Sequence, residues 1–173
     1  MAGLAIDSPV TLTEALRSLR ILPGDVLELA DGLHMSLKAA GDCGPSGNQG
    51  TAVHTRMANL VHLPLPVFIP RQVHSLKVIE LRRGAVPRVH QGAWKGSKLV
   101  MASAIMELPY VPEDPDTAFL ARLAVQIGDM EADGIVTDLP LTLGATVADC
   151  LPVCIRWGAW RALLHSGWQG TGI

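Results

Sequence analysis

A chain of 173 residues of which 49% are apolar and 17% charged has the hydrophobic surface for a folded core, which excludes disorder driven by charge. Fourteen Lys and Arg against sixteen Asp and Glu give a net charge of -2 and a pI near 6.3. No global field then draws the chain to nucleic acid or to an anionic membrane, and small-molecule partners are expected instead.

The length predicts one domain spanning residues 1–173, large enough to do without disulfide or metal staples, so that any metal serves function. No apolar run reaches the ~18 residues of a membrane helix; Leu63–Pro70, for instance, is cut by three prolines. Met1–Pro9 lacks a basic region and contains Asp7, unlike a secretory leader. Cys43, Cys150 and Cys154 are an odd number, so the expectation is a cytoplasmic protein with reduced thiols. Low charge with high apolar content predicts a homo-oligomer in which a second subunit covers part of the surface.

In chain order, Thr11 and Glu14 form a capping box ahead of Leu12, Ala15, Leu16 and Leu19, which predicts an amphipathic helix stopped by Pro23-Gly24. Val26–Ala30 reads as a short strand followed by an Asp31-Gly32 turn, and Gly41–Gly50, with four glycines, as a loop. Thr55–His62 reads as a helix ended by Pro64 and Pro66. Val67–Leu81 alternates apolar and polar residues like a strand. The basic, glycine-bearing stretch Arg82–Ser97 and the proline-bearing Leu108–Pro115 read as excursions outside the core, with Leu99–Leu108 packing back between them. Asp116 or Thr117 caps a helix to about Ile127 that presents Phe119, Leu120, Leu123 and Ile127 on one face, with Gly128 as its stop. Ile135–Thr137, Thr142–Val147, Val153–Trp157 and Ala162–His165 are short apolar runs divided by Gly, Pro and Asp, the pattern of a buried sheet.

Three segments end in residues able to act on a substrate. Arg71-Gln72-Val73-His74 places an imidazole on strand-like sequence, Ala148-Asp149-Cys150-Leu151-Pro152 a thiol at a proline turn, and His165-Ser166-Gly167-Trp168-Gln169-Gly170 a second imidazole before a glycine-flanked loop. Two imidazoles and a thiolate form a zinc shell with one position open, as catalysis needs and closed structural sites lack. Asp149 is a candidate acceptor for a ligand histidine. Cys43 and Cys154 read as small hydrophobes. His34, His54, His62 and His90 have no partner motif and read as surface or loop residues. Arg82, Arg83, Arg88, Lys95 and Lys98 read as a solvated loop, since no aromatic interleaving accompanies them.

These three blocks, with Ala132-Asp133-Gly134-Ile135-Val136-Thr137 between the first and second, resemble in order the signature of the YfiH-type, laccase-domain family. Its members have been called polyphenol oxidases and are regarded as purine nucleoside phosphorylases with adenosine deaminase activity. The resemblance runs from about Met35 to Ile173. It implies an α/β (α+β) fold of mixed β-sheets flanked by helices, related to bacterial cysteine-hydrolase toxin domains and incomplete here at the C-terminus. It also implies metal-binding and catalytic roles for His74, Cys150 and His165, and Arg56 matches the arginine of a family Asn-Arg pair. Gly167 would allow close backbone approach to a ligand, and Trp168 would stack on a purine base. The chain departs from the family pattern at Gln169, where an arginine able to hold phosphate is usual, at Thr55 and Lys38, where Asn is usual, and in a long 82–130 connection that reads as an insertion.

The residues leave several chemistries open. Zn2+, in preference to copper, on His74, Cys150 and His165 would act on adenosine, inosine or related nucleosides, with phosphate as co-substrate in phosphorolysis. Alternatively Cys150 is a nucleophile activated by His165 or His74, giving an amide hydrolase. A truncated, non-catalytic member is a further reading. Polyphenol oxidation ranks last, because copper oxidases need more ligands than three.

Overall fold

In the computed structural model, residues 66–146 and 150–167 are described with their side chains, and 20–22, 26–30 and 33–36 as backbone. The expected Thr55–His62 helix, the Gly41–Gly50 loop and most of the expected N-terminal helix lie outside these residues. The chain divides into two compact units, 1–41 and 42–173.

The first unit holds a three-stranded antiparallel sheet of β1 (Arg20–Leu22), β2 (Val26–Ala30) and β3 (Leu33–Ser36), in that order. Its β2 has the bounds read from the sequence. Arg20–Leu22, expected to close a helix, is instead a strand: Ile21 pairs with Leu27, so tertiary pairing overrides the helical pattern ahead of Pro23.

The second unit is built on a six-stranded mixed sheet. Its strands are β5 (Lys77–Leu81), β6 (Arg88–Lys95), β7 (Lys98–Ile105), β8 (Gly134–Thr137), β10 (Leu151–Trp157) and β11 (Trp160–Ser166), in the order β10-β11-β8-β5-β6-β7. Only β5 and β8 run parallel; the remaining neighbours are antiparallel. Two residues each from β4 (Val67–Phe68) and β9 (Thr142–Leu143) form a parallel pair beside it. With one described helix, α1 (Thr117–Gly128), this is the α+β arrangement of mixed sheets that the sequence predicts.

Helix α1 begins where Asp116 accepts a hydrogen bond from the Phe119 N–H at 2.6 Å, satisfying one of the donors that a helix start leaves open. Its apolar stripe buries Leu123, Ala124 and Ile127. They pack with Phe68 of β4 and with the inward side chains Ile79 and Leu81 of β5 and Ile135 of β8. Alternation along β5 produces this: Ile79 and Leu81 face the core while Val78 and Glu80 face the other way.

Further expectations are corrected. Leu108 and Val111, read as an excursion, belong to the core, because Met106 and Val111 donate their N–H groups to Pro87 and Ala85 at 2.9 Å and draw the segment back along the entry to β6. Arg88–Lys95 is a strand rather than a loop, and β7, expected to pack back, forms a hairpin with it in which all eight β7 residues are exposed. Likewise β10, expected in a buried sheet, is an edge strand with most of its residues exposed. No helix among the described residues is long and apolar enough to cross a membrane.

Candidate metal centre

Four adjacent strands, β10, β11, β8 and β5, bring their chemistry to one end of the sheet. The parallel strands β5 and β8 both begin there, antiparallel β11 ends there, and β10 begins there. The register aligns Pro152 with His165 across β10 and β11 and Leu164 with Gly134 across β11 and β8. Backbone bonds continue the row: the His165 N–H donates to the Asp133 carbonyl at 2.7 Å and the Asp133 N–H to the Lys77 carbonyl at 2.9 Å. Cys150 just before β10, His165 in β11, Asp133 just before β8 and His74 three residues before β5 therefore converge, although 76 residues separate His74 from Cys150.

His74, Cys150 and His165 offer ligand atoms that all lie within 4.8 Å of one another. Cys150 Sγ stands 3.4 Å from His74 Nε2, and the two imidazoles meet edge to face with centroids 4.8 Å apart. Ligand atoms around a tetrahedral zinc-sized ion lie about 3.3–3.6 Å apart, so the donor set suits such an ion after a small closure. His165 is buried, Cys150 half-buried and His74 exposed, which leaves the group reachable from one side. It is the one group of three or more such residues found among the described residues.

Asp133 organises this group. Its buried carboxylate accepts from the backbone N–H groups of Val73 at 3.2 Å, His74 at 2.9 Å and Ser75 at 2.5 Å, and from the Ser75 hydroxyl at 2.8 Å. His165 Nδ1 lies 2.9 Å from its Oδ1. Burial alone would raise the Asp133 pKa, but the bonds from the Ser75 N–H, the His165 ring, the Ser75 hydroxyl and the His74 N–H together hold it below the usual carboxylate value. An ionised carboxylate only accepts, so Nδ1–H of His165 is the donor in this pair and Nε2 is the ring nitrogen left to face a metal.

The backbone around His74 is shaped by the same carboxylate. His74 has φ of 55°, a left-handed conformation that a residue with a side chain adopts at a cost. Here it turns three successive N–H groups toward one anion, forming a nest. The contacts with Asp133 offset the strain and set the direction of the His74 side chain.

Gly167 follows His165 by two residues. A Cβ there would stand 2.5 Å from His74 Cδ2 and 3.5 Å from Cys150 Sγ, so the position admits the imidazole only because it is glycine. Its sequence reading as a point of close approach thus has a physical counterpart, the approach being to His74.

Several other expectations change or go undescribed. Arg56, Trp168, Gln169, Asp149 and Cys43 lie outside the described residues, as do His54 and His62. The histidine-holding carboxylate among the described residues is Asp133; the sequence reading named Asp149 for that role and treated Asp133 only as part of a motif. The signal was available in the placement of Asp133 directly before a strand within the Ala132–Thr137 block. Cys154 is exposed on β10 rather than buried. His90, read as partnerless, sits on β6 with Nε2 at 2.6 Å from Glu80 and Nδ1 at 2.7 Å from the Ser103 hydroxyl, a bridge across three strands. Arg83 is likewise tied down, its N–H donating to the Asp138 carboxylate at 3.0 Å.

Comparison with curated proteins and with solved structures gave no match. The family described as multi-copper polyphenol oxidoreductase laccase matches residues 31–172, a span that contains every residue of the convergent group. The chain belongs to this laccase-domain family, of YfiH type.

Proposed function

We propose that the chain is a zinc enzyme acting on purine nucleosides, by phosphorolysis or by deamination of adenosine, with His74, Cys150 and His165 holding the ion. The observation that carries this reading is the set of three donor side chains with ligand atoms within 4.8 Å of one another and with one imidazole oriented by Asp133. Three protein ligands leave a tetrahedral ion one open position, the mark of a catalytic rather than a structural site. When bound, the ion supplies Lewis acidity at that open position.

The remaining work falls to the chain itself. Asp133 engages Nδ1 of His165, so Nε2 is the ring nitrogen left to face an ion. Gly167 keeps the ground beside His74 and Cys150 clear of side-chain atoms. Deamination replaces the purine amine with oxygen from water and releases ammonia. Phosphorolysis breaks the bond from ribose to base and joins phosphate to the ribose carbon, which calls for a cation to hold the phosphate. Arg56 and Trp168 belong to this proposal as the phosphate-holding and base-stacking residues. Zinc is favoured over copper by the donor set, since multicopper chemistry needs more ligands than one His-Cys-His group provides. A cytoplasmic setting and self-association belong to the same proposal.

A second reading rests on the 3.4 Å contact between Cys150 Sγ and His74 Nε2. An imidazole beside a thiol activates it as a nucleophile, which would make the chain an amide hydrolase inhibited by zinc.

Metal content by mass spectrometry, measured on the chain and on Cys150→Ala and His74→Ala with His90→Ala as control, separates the two. One zinc per chain that is lost in the first two variants and kept in the third supports the metal reading, and adenosine and inosine are then assayed with and without phosphate. Equal metal content in all four proteins would end it in favour of the nucleophile.

A further inference from the structure

The carboxylate of Asp133 joins the His74 backbone to the His165 ring, and among the described residues it bonds to none of those leading to Cys150. A different side chain does. Gln72, two residues before His74, donates from Nε2 to the carbonyl of Thr146 at 2.9 Å, while its Oε1 accepts from the Thr146 N–H at 2.7 Å and from the Thr146 hydroxyl at 2.7 Å. One carboxamide thus pairs with both backbone groups of a residue 74 positions away, as a neighbouring strand would. Among side chains only an amide offers a donor and an acceptor side by side for this.

Thr146 lies four residues before Cys150 and two after Gly144, whose N–H donates to the Phe68 carbonyl at 2.9 Å. The chain ahead of Cys150 is therefore held at Phe68 and again at Gln72, on the same segment that leads to His74. We infer that Gln72 is the positioning residue for Cys150, its carboxamide pairing with Thr146 to set the separation of Cys150 Sγ from His74 Nε2. His74 then stands at the junction of two clamps, Asp133 toward His165 and Gln72 toward Cys150. This deepens the proposed function and rests on its reading of the three residues as a working site.

The test uses the full chain, Gln72→Leu and Thr146→Val. Zinc affinity is measured by competition with a chromophoric chelator. Separately, the metal-free proteins are treated with iodoacetamide and alkylation at Cys150 is scored by peptide mass against Cys154, which lies on β10 away from the clamp. Gln72→Leu is expected to lose about 10- to 100-fold in zinc affinity, as supporting residues around metal sites do. Thr146→Val keeps both backbone bonds to the carboxamide and is expected to stay near the parent. The Cys150 to Cys154 alkylation ratio is expected to fall in Gln72→Leu, because the thiol is no longer held against its imidazole. A purely structural role would lower the melting temperature and leave that ratio unchanged.

Parent-like zinc affinity in Gln72→Leu would overturn the inference. If the parent chain itself takes up no zinc, the metal reading fails on its own and the alkylation ratio decides the role of Gln72. Should Gln72→Leu not fold by circular dichroism, Gln72→Glu keeps the acceptor for the Thr146 N–H and loses the donor to its carbonyl, and the same two measurements decide with it.

Discussion

Strands β8 and β7 belong to the same sheet and lead opposite lives. The first has four residues, sits between β11 and β5, and buries Ile135 and Thr137. The second has eight residues, lies at the sheet edge and exposes all of them, Leu99, Val100, Met101 and Ile105 included. The longer apolar strand thus adds little to the core, and the shorter one is its centre. Apolar content marks both as strands, whereas place in the sheet decides which is buried. The candidate site follows the same division. Its residues stand at the ends of strands that have neighbours on both sides or abut one that does, where small displacements are resisted.

The sharpest way to break this comparison is at Asp133, the residue that opens β8. Asp133→Ala removes the acceptor of three backbone N–H groups and the partner of a buried imidazole, and is expected to cost about 4 kcal/mol, since several donors at about 1–3 kcal/mol each lose their partner. Urea denaturation measures it. The parent carries a matching pH signature. Because its pKa is lower folded than unfolded, Asp133 binds protons more weakly in the native state. Its contribution is therefore complete above the unfolded carboxylate value of about 3.9 and is lost as pH falls from there through the folded value. Denaturation midpoints followed downward from pH 5 should drop more steeply in the parent than in Asp133→Ala. Parallel curves would show that the carboxylate is not held as described.

The next effect lies across the core from β8. Leu123 of α1 is fully buried, at 0% exposure, against the inward face of the sheet. Leu123→Ala is expected to cost about 3 kcal/mol through lost burial and the cavity left behind. A loss below about 1 kcal/mol, the scale of a well-tolerated core swap, would mean that the helix does not seal β5 and β8 as the packing implies.

What the sequence disclosed follows from how far each signal reaches along the chain. Helix α1 was legible because its cap at Asp116 and its stripe of Leu123 and Ile127 are local, and β2 because Val26–Ala30 is bracketed by Gly and turn residues. His74, Cys150 and His165 could be picked out as chemically apt, and the family resemblance grouped them. The placement of Asp133 before a strand was visible, but the partners of Asp133 and Gln72 were not, since each acts on residues about 60 or 74 positions away, brought close only once β5, β8 and β11 have paired and β4 has met β9. Strand β6 was missed for a related reason. Its glycine and basic residues argue for a loop, and only pairing with β5 on one side and β7 on the other makes it a strand.

The smallest expected effect is the one that tests the exposed half of the comparison. Met101 stands in the middle of β7, 52% exposed, with its backbone paired to Gly92. Met101→Ser leaves that pairing in place and removes little buried surface, so the expected change in stability is within about 0.5 kcal/mol, the range of surface substitutions. The measurement is run at two protein concentrations tenfold or so apart, because an obligate partner makes apparent stability depend on concentration. A small, concentration-independent change keeps β7 as a solvent-facing strand held by backbone pairing alone. A loss comparable to that of Leu123→Ala, growing at the lower concentration, would mean that a second copy of the chain covers Leu99, Met101 and Ile105 in solution, and that the contrast between β7 and β8 belongs to the isolated chain only.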